Sequence, residues 1–156
     1  MKIGLMLILL TLSQISVAQS LKEKKDKLDI MNRVDALIVA INEGRVSLEK
    51  EDVVSACKKI NDIFKILPDH LLSIGTRMNL FDSKVIKMEK ESKMFLIYIH
   101  QRSNICSDGE TGENLDIKET DQKFKSMKRM LEKQKKIIKK LDTDYENTYN
   151  YYYEFN

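Results

Sequence analysis

Apolar residues recur at three- and four-residue steps along most of this chain, and this spacing restricts its fold more than any other feature. Such steps place apolar side chains on one face of an α-helix. The 156 residues include one proline and five glycines, too few for a turn-rich β-sandwich, a collagen-like chain or a low-complexity chain. With 42% hydrophobic residues, the chain is also too apolar for disorder throughout. We therefore expect one all-α domain.

The N-terminus has the pattern of a secretory signal peptide. Lys2 precedes an apolar run, IGLMLILLTL, and the small residues Ser16 and Ala18 precede Gln19 at the spacing of a cleavage site. The run is shorter than the ~20 residues of a membrane-spanning helix. We predict a signal peptide at 1–18, a helical bundle domain at 19–150, a tyrosine-rich C-terminal tail at 151–156, and a secreted or periplasmic location. The alternative is an uncleaved membrane anchor.

Cys57 and Cys106 are the only two cysteines. In an oxidising compartment they can pair, and closing the loop between them would be worth about 4 kcal/mol on the chain-entropy estimate. We predict a disulfide. The alternative is a buried thiol at Cys57 and an unpaired Cys106 in a loop.

Two periodic segments make up the first half of the expected domain. The first covers about 21–43 and is expected to end at Gly44, a typical C-cap residue. The second begins at Ser47, which can cap a helix, and ends at Pro68, because proline disfavours the helical region for the preceding residue. The expected buried positions are Leu28, Met31, Val34, Ile38 and Ile41 in the first, and Val53, Cys57, Ile60, Phe64 and Leu67 in the second.

The other two segments follow seven-residue repeats. The third starts at Asp69 and predicts a helix of about 30 residues. The loop 103–114 follows it, and the fourth segment begins near Leu115 with Thr120 and Gln134 as polar interruptions. The repeat positions are Leu71, Ile74, Met78, Phe81, Val85, Met88, Ser92, Phe95 and Ile99, then Ile117, Phe124, Met127, Leu131, Ile138, Leu141 and Tyr145.

Four apolar faces must be buried against one another. Short connections between helices make neighbours antiparallel, so the expected fold is an up-and-down four-helix bundle. The long third and fourth helices are expected to form an antiparallel coiled-coil hairpin. The same heptads predict a homodimer as one mode of association.

The sequence offers no pattern of catalytic, cofactor-binding or metal-binding residues. His70 and His100 are expected at opposite ends of one helix, too far apart to share a metal ion. The motifs HExxH, CxxC, GxSxG and GxxxxGK do not occur. We predict a non-enzymatic protein without cofactor or metal.

A basic segment runs from Lys123 to Lys140, with Glu132 as its one acidic residue. It could contact a polyanion, either an anionic surface or a polysaccharide, whereas specific recognition of nucleic acid is not expected. A solvated bundle face is the alternative, since the basic residues surround the outward side of the helix. The residues predicted for this contact are Lys125, Lys128, Arg129, Lys133, Lys135, Lys136, Lys139 and Lys140.

The end of the chain, YENTYNYYYEFN, concentrates aromatic residues. Tyrosine combines a large apolar area with a polar tip and is enriched at interfaces. The residues predicted for a protein contact are Tyr149, Tyr151, Tyr152, Tyr153 and Phe155. The alternative is that these rings pack the last turns of the bundle.

These features predict a secreted, non-enzymatic helical protein that acts through contacts with an unidentified protein partner. A periplasmic coiled-coil protein of structural or chaperone type is the alternative. A carrier of a hydrophobic ligand is a third hypothesis, since Met78, Met88 and Met94 give the third helix adaptable side chains.

Overall fold

The computed structural model is all-α and contains four helices among the residues it describes. These are α1 (Lys2–Glu49), α2 (Val53–Arg77), α3 (Ser83–Ser107) and α4 (Ile117–Lys140). The structure describes the backbone of residues 2–78, 82–107 and 114–140. It describes the side chains of residue 22 and of residues 24–78, 82–106 and 114–140. The contacts between the helices fit a four-helix bundle, which confirms the predicted all-α class and the bundle.

Pairs of side chains show that sequential helices run in opposite directions. Asp29 of α1 bonds Arg77 of α2, and Glu43 of α1 bonds Lys59 of α2. Residue numbers therefore increase along α1 in the direction in which they decrease along α2. The other neighbouring helices are antiparallel as well. The evidence is the pairs Phe64–His100 and Cys57–Cys106 for α2 and α3, Tyr98–Thr120 and Ser92–Gln134 for α3 and α4, and Asp35–Lys135 and Arg45–Asp121 for α1 and α4. Helices α3 and α4 approach each other less closely than the other neighbouring pairs do.

The core consists of the apolar faces that the periodicity indicated. Phe124 is its largest fully buried side chain. The α1 face is rotated from the predicted one, because Leu28, expected in the core, is 58% exposed whereas Ile30 and Leu37 are fully buried. Most periodic residues of α2 and α4 are buried as expected, namely Cys57, Ile60, Leu67, Phe124, Met127, Leu131 and Ile138. Val53, Phe64 and Ile117 are partly buried, and Leu141 and Tyr145 lie outside the described residues.

Gly44 does not end the first helix, and Ser47 does not begin the second; both predictions are wrong. Helix α1 continues to Glu49. Gly44 is buried at a close contact between helices, where an added Cβ would lie 2.7 Å from Cε2 of Phe124. The chain reverses at Glu51, whose φ of 56° is left-handed, and Asp52 caps α2 by accepting a 3.0 Å bond from the Ser55 amide.

Pro68 does not stop a helix either, since it lies inside α2. An interior proline removes one backbone hydrogen bond and costs about 3 kcal/mol. The buried stripe of α2 continues past it at His70 and Ile74, and this packing outweighs that cost. The third periodic segment is consequently divided between α2 and α3, and the predicted long third helix is wrong.

The predicted leader lies within α1, and nothing in the structure tests whether it is cleaved. Within the described ranges, the chain has no helix that is both long and apolar enough to cross a membrane.

Candidate functional site

A layer of buried polar side chains crosses the centre of the bundle. His70 of α2 and Gln134 of α4 bond through Nε2 and Oε1 at 3.0 Å. Nε2 of Gln134 donates to Ser92 Oγ at 3.1 Å and to the Met88 carbonyl at 3.3 Å, both on α3. Because the Gln134 amide nitrogen is used as donor, its oxygen must accept, so His70 donates from Nε2.

The other ring nitrogen of His70, Nδ1, is buried and has no hydrogen-bond partner among the described residues. Burial lowers the pKa of His70 below its ordinary value; the bond to Gln134 opposes this shift, and the charge of Arg33 adds to it. His70 is therefore neutral near pH 7. The layer is closed to solvent by the surrounding core, since His70, Ser92 and Gln134 are each at most 1% exposed.

Cys57 and Cys106 are joined at an Sγ–Sγ distance of 2.05 Å, which confirms the predicted pairing. The bridge links the start of α2 to the end of α3. Close to it, the Asn61 and Ser103 side chains bond at 2.6 Å, and His100 stacks on Phe64 at 5.4 Å between ring centroids. This end of the α2–α3 pair is fixed by covalent and polar contacts together.

An ion-pair network closes the opposite end of α1 and α2. Asp29 accepts bonds from Arg77 at 2.7 Å and from Arg33 at 3.1 Å. Arg33 also bonds the Ser73 hydroxyl and the Asp69 carbonyl. Each of these groups bonds another member of the network, so the network holds α1 and α2 together.

Five of the eight predicted polyanion-binding residues fall into two groups. Lys125 bonds Asp121 at 2.6 Å, and Lys135 bonds Asp35 of α1 at 2.5 Å. Burial disfavours ionisation of Asp121, but bonds from Lys125 and Arg45 outweigh it and lower its pKa. These two lysines serve the bundle itself.

The second group surrounds a cleft. Lys133, Lys136 and Lys140 of α4 and Lys84 of α3 line a concavity of about 260 Å³ around Ile137, which we call the lysine cleft. Sequence reasoning missed Lys84, because its approach to α4 depends on how the two helices pack. The charged start of α3, SKVIK, was the only local signal. Lys128, Arg129 and Lys139 lie on α4 outside the lining of the cleft.

Helix α3 also presents apolar side chains on its outward side. Val85, Met88 and Ile99 are buried in the core, while Ile86, Met94 and Ile97 are 51%, 64% and 58% exposed. The exposed three share one side of the helix, at steps of eight and three residues. We call Ile86, Met94 and Ile97 the α3 ridge.

The predicted contact residues of the C-terminal tail, Tyr149, Tyr151, Tyr152, Tyr153 and Phe155, lie outside the described residues. His70 and His100 are on different helices, which corrects the expectation that they share one. Within the side chains described, no three potential metal ligands are grouped.

Comparison with protein-family models, with curated proteins and with solved structures found no match to this chain.

Proposed function

We propose that this protein is a secreted, non-enzymatic helical module that binds another protein through the α3 ridge. The observation that carries the proposal is the second apolar side of α3. A bundle helix needs one apolar face to join the core, and α3 already has one in Val85, Met88 and Ile99. Within the part of the chain that the structure describes, Ile86, Met94 and Ile97 are not buried in the core.

The charges beside the ridge indicate the chemistry of the partner. Lys90 stands between Ile86 and Met94 on the same side of the helix, and Lys87 is exposed next to them. A partner with an apolar centre and acidic residues around it would match both features. The exposed area is small, which favours a weak or transient complex.

A second copy of the chain fits the ridge less well. An antiparallel pairing of two α3 helices that aligned Ile86 with Ile97 would set the apolar Met94 against Glu89, which bonds Lys93 at 2.7 Å. Such a contact would bury an ion pair against an apolar side chain, which opposes binding. The heptad residues Met88 and Ile99 are already buried inside one chain. We therefore favour a different, acidic protein over a homodimer.

Export and the coiled-coil hairpin belong to the same proposal. The disulfide is compatible with an oxidising compartment, as is the signal-peptide pattern of residues 1–18. The coiled-coil hairpin rests on the buried heptad positions of α3 and α4, including Val85, Met88, Leu131 and Ile138, although these two helices approach each other less closely than the other neighbouring pairs do. That arrangement would place the α3 ridge on a rigid pair of helices.

The test uses the mature chain, residues 19–156, as bait in extracellular fluid from its source, followed by purification of each enriched protein. Isothermal titration calorimetry then measures Kd for the wild type and for the variant Met94→Glu/Ile97→Glu. Leu72→Glu is the control, because Leu72 is 64% exposed on α2. We expect the ridge variant alone to weaken binding at least about tenfold, or about 1.4 kcal/mol. Equal affinity of all three chains would contradict the proposal.

A further inference from the structure

Among the described residues, the lysine cleft has a charge that no carboxylate neutralises. The described lining residues are Lys84, Lys133, Lys136, Ile137 and Lys140, and none of them is acidic. No ion pair joins any of the four to a carboxylate within residues 22–78, 82–107 and 114–140. The paired lysines of the same helix, Lys125 and Lys135, do have acidic partners.

This accumulation of charge carries a free-energy cost. Lys136 and Lys140 are four residues apart on one helix, where like charges repel. A concave surface of one sign concentrates the potential and attracts counter-ions. A bound anion would remove the repulsion.

The positions of the lysines indicate an extended ligand. Lys133, Lys136 and Lys140 form a row on α4, with steps along the axis of about 4.5 and 6 Å at 1.5 Å per residue. Lys84 stands on the α3 side of the cleft. A linear polymer with charges at intervals of several ångströms can follow this row of lysines.

The chemistry of the lining narrows the class of polymer. Lysine acts as a compact point charge and suits sulfate oxygens without needing bidentate geometry. Ile137 and the lysine methylene groups add an apolar floor, against which the C–H faces of sugar rings can lie. Inorganic polyphosphate has no apolar part, and the described lining residues include no aromatic ring on which a base could stack.

We propose that the lysine cleft binds a linear sulfated polysaccharide. The cleft lies between α3 and α4 and does not include the α3 ridge, so it is a second binding surface. Failure of either proposal leaves the other intact.

The experiment measures binding of a size-fractionated heparin oligosaccharide to the mature chain by isothermal titration calorimetry over a series of NaCl concentrations. The test variant is Lys84→Ala/Lys136→Ala. The matched control is Lys58→Ala/Lys65→Ala, which makes the same change in net charge at exposed lysines of α2. Circular dichroism melting checks that each variant is folded, and Lys84→Arg/Lys136→Arg tests whether charge at these positions suffices.

We expect the cleft variant to weaken heparin binding about tenfold and to reduce the salt slope by about two, roughly one per lysine removed. The arginine variant and the α2 control should bind like the wild type. Equal weakening by both alanine variants would overturn the proposal, because net charge alone would then explain binding. Equally tight binding to phosphatidylserine vesicles, to inorganic polyphosphate or to single-stranded DNA would also overturn it, as would no binding to heparin.

Discussion

His70 and Gln134 meet in the interior of the bundle, with 3.0 Å between Nε2 and Oε1. Both side chains are at least 99% buried. They join α2 to α4 across the diagonal of the bundle, and the amide of Gln134 extends the link to Ser92 on α3. This bond therefore fixes the relative positions of three helices.

The first prediction concerns pH. Unfolded His70 takes up a proton near pH 6.5, while burial lowers the pKa of the folded form. Below pH 6.5 the unfolded state thus binds more protons, so the free energy of unfolding falls as pH falls from about 6.5 toward the folded pKa. Urea denaturation between pH 5 and 8 measures this.

The control for the pH measurement compares two histidine variants with the wild type. His70→Gln should lose the part of the pH dependence that lies between pH 5 and 7, whereas His100→Gln, at an exposed residue, should retain it. The same slope in all three chains would show that other groups cause the effect.

The second prediction is a double-mutant cycle on the polar layer. Gln134→Leu leaves the Nε2–H of His70 buried without an acceptor and should cost about 1–3 kcal/mol. His70→Leu should have a similar effect, because it leaves Oε1 of Gln134 without its donor. The double variant replaces both partners by apolar groups, so its loss should be clearly smaller than the sum of the two. Chemical denaturation measures all four chains, and additive losses would contradict the interpretation.

The third prediction concerns the disulfide. Cys57 and Cys106 are 49 residues apart in sequence, and the chain-entropy estimate gives about 4 kcal/mol for closing such a loop. Cys57→Ser/Cys106→Ser should lower the free energy of unfolding by about this amount. The wild type in reducing agent should behave like the variant, while the variant should be insensitive to it. A loss well under 1 kcal/mol would contradict the prediction.

The fourth prediction compares two glycines within helices. Gly75→Ala adds a Cβ with no atom within 4 Å, so helix propensity alone should stabilise the protein by about 0.5–1 kcal/mol. Gly44→Ala gains the same propensity but forces the Cβ to within 2.7 Å of the buried Phe124 ring. Overpacking costs about 1–3 kcal/mol, so this variant should be less stable than the wild type.

Thermal melting of both glycine variants gives the comparison. Their melting temperatures should move in opposite directions. A rise for Gly44→Ala would show that the Phe124 ring moves aside at little cost.

Local signals misplaced the helix boundaries for identifiable reasons. Glycine is favoured at a C-cap, but the need for glycine at position 44 comes from Phe124, which is far away in sequence and lies against it in the fold. Pro68 has the residue type of a terminator, but packing on both sides of it keeps α2 helical. In both cases a contact remote in sequence outweighed a preference of the local backbone.

The candidate sites show the same division. The pairing of the two cysteines followed from their number and the expected compartment, and α4's basic character was visible in its sequence. Which lysines are neutralised was not visible, because Lys135 finds its partner Asp35 one hundred residues away. The exposure of Met94 and Ile97 was equally hidden, since the sequence MFLIYI, residues 94–99, is apolar on every side of a helix.

Periodicity at three and four residues is a property of each segment alone, so the helical structure and the one buried face of each helix could be predicted without knowledge of the fold. The tertiary structure alone decided where helices end, which polar groups meet in the core and which charges converge. Those outcomes depend on distances between residues far apart in the chain, and only packing of the four helices sets them.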